Sequence, residues 1–117
     1  MTGFRVLLVA IFVLIIAYTS FVIVDYGWDL VPIFFGDIAK MAWPGQFNVD
    51  FSCFLILSGL WVAWRNNFSA AGLALAPVAS FGGALFLSAY LLFLSFQERG
   101  DMASLLLGSK RAAALRR

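Results

Sequence analysis

A chain of 117 residues that is 63% hydrophobic and only 12% charged has too little polar surface to dissolve as a compact domain, since soluble domains carry about 25% charged residues. Its formal charge of +2 is modest, but four of its eight basic residues, Lys110, Arg111, Arg116 and Arg117, crowd the C-terminal end. A basic end on an apolar protein points to anionic lipid headgroups rather than nucleic acid.

The length leaves room for one domain. Cys53 is the single cysteine and histidine is absent. That excludes an intramolecular disulfide, a His/Cys metal site and a histidine-based catalytic triad. The six acidic residues form no paired-carboxylate motif, and no catalytic, metal-binding or cofactor-binding residue emerges.

In chain order, Met1–Arg5 is a short polar start with one positive charge. Val6–Val24 follows, 19 residues without a charge, which as a helix reaches roughly 28 Å, close to the ~30 Å hydrocarbon core. A cleaved signal peptide is the competing reading. The apolar run is longer than the usual ~7–15 residues and no small-x-small cleavage site follows it, so a span at about 5–25 is preferred.

The segment at about 28–44 is apolar, yet Asp29, Asp37 and Lys40 would each cost on the order of 2.5–3.5 kcal/mol at a bilayer centre. Leu30, Ile33, Phe34, Ile38 and Met41 recur at helical spacing, which predicts a short helix lying in the interface. Trp28 and Trp43 flank it as headgroup-level anchors. Pro44 and Gly45 should end it.

The second span is expected at about 49–66. Asn48 would cap it and Asp50 would sit in its first turn, where the helix dipole favours an anion. Asp50, Cys53, Leu57, Trp61 and Trp64 share one face at steps of three and four. Trp61, Trp64 and Arg65 give it an interfacial end. Asn66–Ser69 is a tight polar turn into the third span, expected at about 71–97.

In that third span Gly72, Ala76, Ser80, Ala84 and Ser88 recur every four residues, with Gly83 beside them. Such a ridge of small residues lets a neighbouring backbone approach closely. Pro77, one turn inside, should kink the helix or loosen its early turns. Asp101 should cap a short segment, Met102–Leu107, closed by Gly108 before the basic end of the 98–117 tail.

These elements predict an all-α integral membrane protein with three transmembrane helices and a short interfacial helix between the first and second. Three straight spans put Arg5 and Arg65 on one side, with Lys40, Arg99, Lys110, Arg111, Arg116 and Arg117 on the other. Counting cations then makes the tail cytoplasmic and the N-terminus external. The first helix, with Arg5 before it and Asp25 after it, argues the reverse, and the cytoplasmic tail is preferred.

Asp50 is the one intramembrane carboxylate to weigh as a proton or cation site. The competing reading is a headgroup-level residue satisfied by free backbone N–H groups. Ser52, Ser58, Ser80, Ser88 and Ser95 have no base beside them and should bond backbone carbonyls or join helices. Cys53 reads as a small buried apolar residue.

Phe35-Gly36-Asp37, Trp43 through Phe51, Trp61 through Ser69, Gly82-Gly83, Gly100-Asp101 and Leu105 through Gly108 together resemble a group of small, uncharacterised bacterial inner-membrane proteins. The resemblance implies a multi-pass protein of the bacterial inner membrane and supplies no catalytic residue.

Two classes of function follow. One is a non-catalytic accessory subunit or scaffold that binds membrane lipids, a larger membrane complex or further copies of itself. The other is an oligomeric transporter or channel component that uses Asp50. A membrane enzyme is the weakest reading.

Overall fold

The computed structural model describes residues 1–116. The protein is all-helical, with no strand among the described residues, and its six helices are α1 (Thr2–Tyr26), α2 (Leu30–Ala39), α3 (Trp43–Arg65), α4 (Ala70–Gln97), α5 (Met102–Leu107) and α6 (Ser109–Leu115). Three of them, α1, α3 and α4, are by total length and composition alone long and apolar enough to cross a membrane. The short apolar helix α2 lies between the first and second of these.

Helix α1 carries no charge after Arg5 until Asp25, and Gly27, at φ 76°, closes it by donating its N–H to the Ile23 carbonyl at 2.8 Å. Helix α2 ends at Ala39, and the chain turns through Met41 at φ 55°. The expectation that Pro44 ends the interfacial helix and that Asn48 caps the next one is corrected here. Helix α3 starts at Trp43 with Pro44 in its first turn, where the missing N–H costs nothing because that donor has no intrahelical partner anyway.

Asn48 therefore lies inside α3, and its side chain serves α2 by donating Nδ2 to the Phe34 carbonyl at 3.0 Å. Gly45, also packed on α2, is buried, and a Cβ there would strike the Asp37 carbonyl oxygen. The α3–α4 turn runs through Asn67 at φ 59° and Phe68 at φ 53°. Ser69 caps α4, its Oγ accepting from the Gly72 N–H at 3.2 Å.

Helix α4 does not run straight. Its backbone leaves helical geometry at Gly83, where φ is 57° and ψ −142°, rather than at Pro77 as the sequence suggests. Proline bends a helix by removing one hydrogen bond, whereas a reversal needs positive φ, which proline cannot adopt and glycine can.

The contacts of Asn66 show the reversal. A Cβ on Gly72 would lie 2.7 Å from Asn66 Cβ, and Asn66 Nδ2 also donates to Tyr90 Oη at 2.9 Å. In a straight helix residues 72 and 90 would be roughly 27 Å apart, far beyond a tyrosine side chain. Residues 70–82 thus run down α3, Gly83 packs on Phe51 and Leu55, and residues 84–97 run back up, bringing Glu98 to Arg65 at 3.1 Å.

Helix α1 lies against this returning half. Arg5 Nε and Nη2 donate to Ser95 Oγ (3.0 Å) and to the Ser95 carbonyl (2.8 Å), and Leu8 is buried. The sequence expectation that cations divide between two ends is therefore corrected. Arg5, Arg65, Arg99, Lys110, Arg111 and Arg116 gather at one end of the molecule, and among the described residues only Lys40 lies at the other.

Candidate functional site

The basic end is built on Arg65, the last residue of α3, which is only 6% exposed. Its Nε donates to the Leu105 carbonyl at 2.6 Å, and Nη2 reaches Glu98 Oε1 at 3.1 Å and the Ser104 carbonyl at 3.3 Å. One guanidinium thus ties together three segments: the end of α3, the exit of α4 and the body of α5. Its five donors in a rigid fork suit this better than a lysine ammonium would.

Trp61, one turn earlier on α3, donates Nε1 to the Leu106 carbonyl at 3.1 Å. The tail folds closely over this end. Gly108, at φ 89°, is buried, and a Cβ there would meet the Arg65 carbonyl oxygen at 2.8 Å. Arg111, from α6, donates Nη1 to the Trp64 carbonyl at 2.6 Å and lies 4.0 Å over the Trp64 ring. It therefore supplies donors to the carbonyl end of α3, where the dipole also favours a cation.

Asp101 accepts from Ser104 Oγ at 2.6 Å and pairs with Arg116. The Arg116 hydrogen bond, followed by that of Ser104, holds the Asp101 carboxyl below its ordinary value of 3.8.

Several of the predicted headgroup contacts thus have partners within the chain. Arg111 is spent on α3 and Arg116 on Asp101, while Lys110 and Arg99 are exposed. Arg117 lies outside the described residues. Of the predicted tryptophan anchors, Trp28 and Trp43 are exposed, whereas Trp61 and Trp64 are engaged by α5 and α6. Sequence reasoning missed Arg5, Arg65, Glu98 and Ser95 as a polar cluster, because each stands at the end of an apolar run and reads as a boundary residue.

The small-residue ridge faces α3 along the descending half of α4. Gly72 lies against Ala63 and Asn66, and a Cβ on Gly59 would meet the Ala76 carbonyl oxygen at 3.0 Å and strike Ser80 Oγ. Ser80 donates across the helices to the Leu55 carbonyl at 3.0 Å. Ser88 is buried and bonds its own helix at the Leu85 carbonyl, while Ala84, past the break, is exposed.

Two substitutions separate these positions. Ser80→Leu should lower stability in detergent by on the order of 1–3 kcal/mol through overpacking, whereas Ala84→Leu should leave it nearly unchanged. An unchanged melting temperature for Ser80→Leu would show that the ridge is not a contact surface.

Asp50 does not sit in the first turn of α3. It is the eighth residue of that helix, beyond the four N–H groups left free at a helix start. Its side chain is exposed and has no hydrogen bond or ion pair among the described residues. With Ile38, Met41, Gly45, Gln46 and Val49 it lines an open cleft of about 370 Å³ against α2. Cys53, expected to be buried, is exposed, one turn along α3 from Asp50.

A second cavity, about 280 Å³, lies at the Gly83 break between Phe51, Phe54, Leu55, Ala84 and Leu87. Ser58 Oγ, which also lines it, is buried without a hydrogen-bond partner. Ser52 and Ser95 bond their own helices, at the Asn48 and Leu92 carbonyls. Among the described residues no three Asp, Glu or Cys side chains come together as a metal site would require.

Chemically, the basic end can close the tail over the helices and present Arg99 and Lys110 to anions. The Asp50 cleft can offer one carboxylate, unpaired among the described residues. No family model, curated protein or solved structure matches this chain.

Proposed function

We propose that this is a small non-catalytic protein of the bacterial inner membrane, acting as an accessory subunit or scaffold that holds lipid or a larger membrane partner. The observation that supports this reading is where the polar side chains end. Arg5, Arg65, Trp61, Asn66, Ser80 and Arg111 all terminate on the chain's own carbonyls or hydroxyls. They bind the helices to one another and do not converge on a cavity.

The surface left to a partner is then not the ridge, which is spent on α3. It is the long apolar flank of α1, whose only buried residue is Leu8.

A second reading, an oligomeric transporter or channel component, is favoured by one observation: Asp50 lies past the free N–H groups and is unpaired among the described residues. Copurification in mild detergent, with identification of bound protein and lipid, tests the first reading. It predicts a membrane partner or tightly held lipid, retained by Asp50→Asn. Proton or cation flux in proteoliposomes that disappears in Asp50→Asn would replace it with the second.

A further inference from the structure

We infer that α4 is a re-entrant hairpin, entering and leaving the bilayer on the cytoplasmic face, and that this face receives anionic phospholipid headgroups on Arg99 and Lys110. The inference does not depend on whether the protein serves as a scaffold or a transporter component.

Three observations carry the path of the chain. Each half of α4 has at most about 14 residues and reaches about 20 Å, short of the ~30 Å hydrocarbon core. The distance along α3 from Trp43 to Trp64 is about 31 Å, one hydrocarbon thickness. Gly83 packs on Phe51 and Leu55 of that helix, which puts the tip of the hairpin about 12–18 Å from the Trp43 end, near the middle of the bilayer. Irregular backbone is tolerated at such depth only where protein or a polar cavity covers it, and Gly83 is buried.

Charge sets the side. Arg5, Arg65, Arg99, Lys110, Arg111 and Arg116 lie at the open end of the hairpin, while Asp25, Asp29 and Asp37 lie with Lys40 at the opposite end of α1 and α3. The positive-inside rule makes the first group cytoplasmic. The conflict between the first helix and the cation count disappears, because with a hairpin both place the N-terminus and the tail together.

At that face four of the six described cations are held by the chain itself. Arg99, in a left-handed turn at φ 54°, and Lys110, on α6, are exposed and unpaired among the described residues. They stand at the exit of α4 and on the helix folded over α3, positions that meet lipid phosphates.

The test uses the full chain in cells, with Cys53→Ser as background and single cysteines introduced as Asn67→Cys, Met102→Cys and Ala39→Cys at exposed sites. A membrane-impermeant maleimide should label position 39 in intact cells, and positions 67 and 102 only after the membrane is opened. Labelling of 67 and 102 from opposite sides, as a straight α4 requires, would overturn the hairpin. Labelling of both from outside would overturn the orientation.

The lipid arm uses the purified protein with phosphatidylglycerol or phosphatidylcholine. Wild-type protein should retain phosphatidylglycerol preferentially, and Arg99→Gln with Lys110→Gln should weaken that retention on the order of thirtyfold. Inorganic phosphate at equal concentration should not displace the lipid. Equal retention of the two lipids, no change in the double variant, or displacement by phosphate would reject the headgroup role.

Discussion

Arg65→Gln should destabilise the protein by about 3 kcal/mol or more and release α5 and α6 from the helices beneath them. The side chain is buried and carries three hydrogen bonds, to the Leu105 and Ser104 carbonyls and to Glu98. Removing it leaves Glu98, 17% exposed, without its cation, and breaking a buried pair at one partner typically costs about 3–5 kcal/mol. It also strands two carbonyls that Arg65 now satisfies.

Arg65→Lys should recover only part of the loss, because one ammonium cannot span the Leu105 carbonyl and Glu98 with the same fork. Thermal unfolding in detergent measures the stability. Limited proteolysis after Gly100 measures release of the tail. A stable Arg65→Gln variant with a protected tail would mean that the cluster is not what holds the tail down.

Gly83→Ala should cost on the order of 1–3 kcal/mol, and Gly83→Val more. At φ 57° and ψ −142° an L side chain is strained whatever the space around it. A Cβ there would also press on Phe51 Cζ at 3.2 Å. Pro77→Ala serves as the control. Pro77 is exposed and lies inside the descending half, so its removal should be neutral or mildly stabilising by restoring a helical donor. If Pro77→Ala were the damaging change and Gly83→Ala neutral, the reversal would have been assigned to the wrong residue.

The helices themselves were legible, because long charge-poor runs leave few alternatives. Their ends were less so. Pro44 can stop one helix or start another, and the choice of starting α3 moved both Asn48 and Asp50 into that helix. That displacement removes the free N–H groups that would have satisfied Asp50.

The reversal at Gly83 was hidden for a different reason. Hydropathy averages over the two halves of α4 alike, and a glycine inside an apolar run is consistent with close packing as well as with a turn. The cluster around Arg65 joins residues 33–40 positions apart, which no local pattern can reveal. Asn66–Ser69 could be read as a turn because its signal is local.

The measurement that tests the reversal most directly is the distance between spin labels at Ala71 and Phe93, both exposed sites on α4, in the detergent-purified protein. A helix folded at Gly83 predicts a separation of roughly 20 Å or less, as for neighbouring packed segments. A distance near 33 Å, the length of a straight helix between these positions, would contradict it.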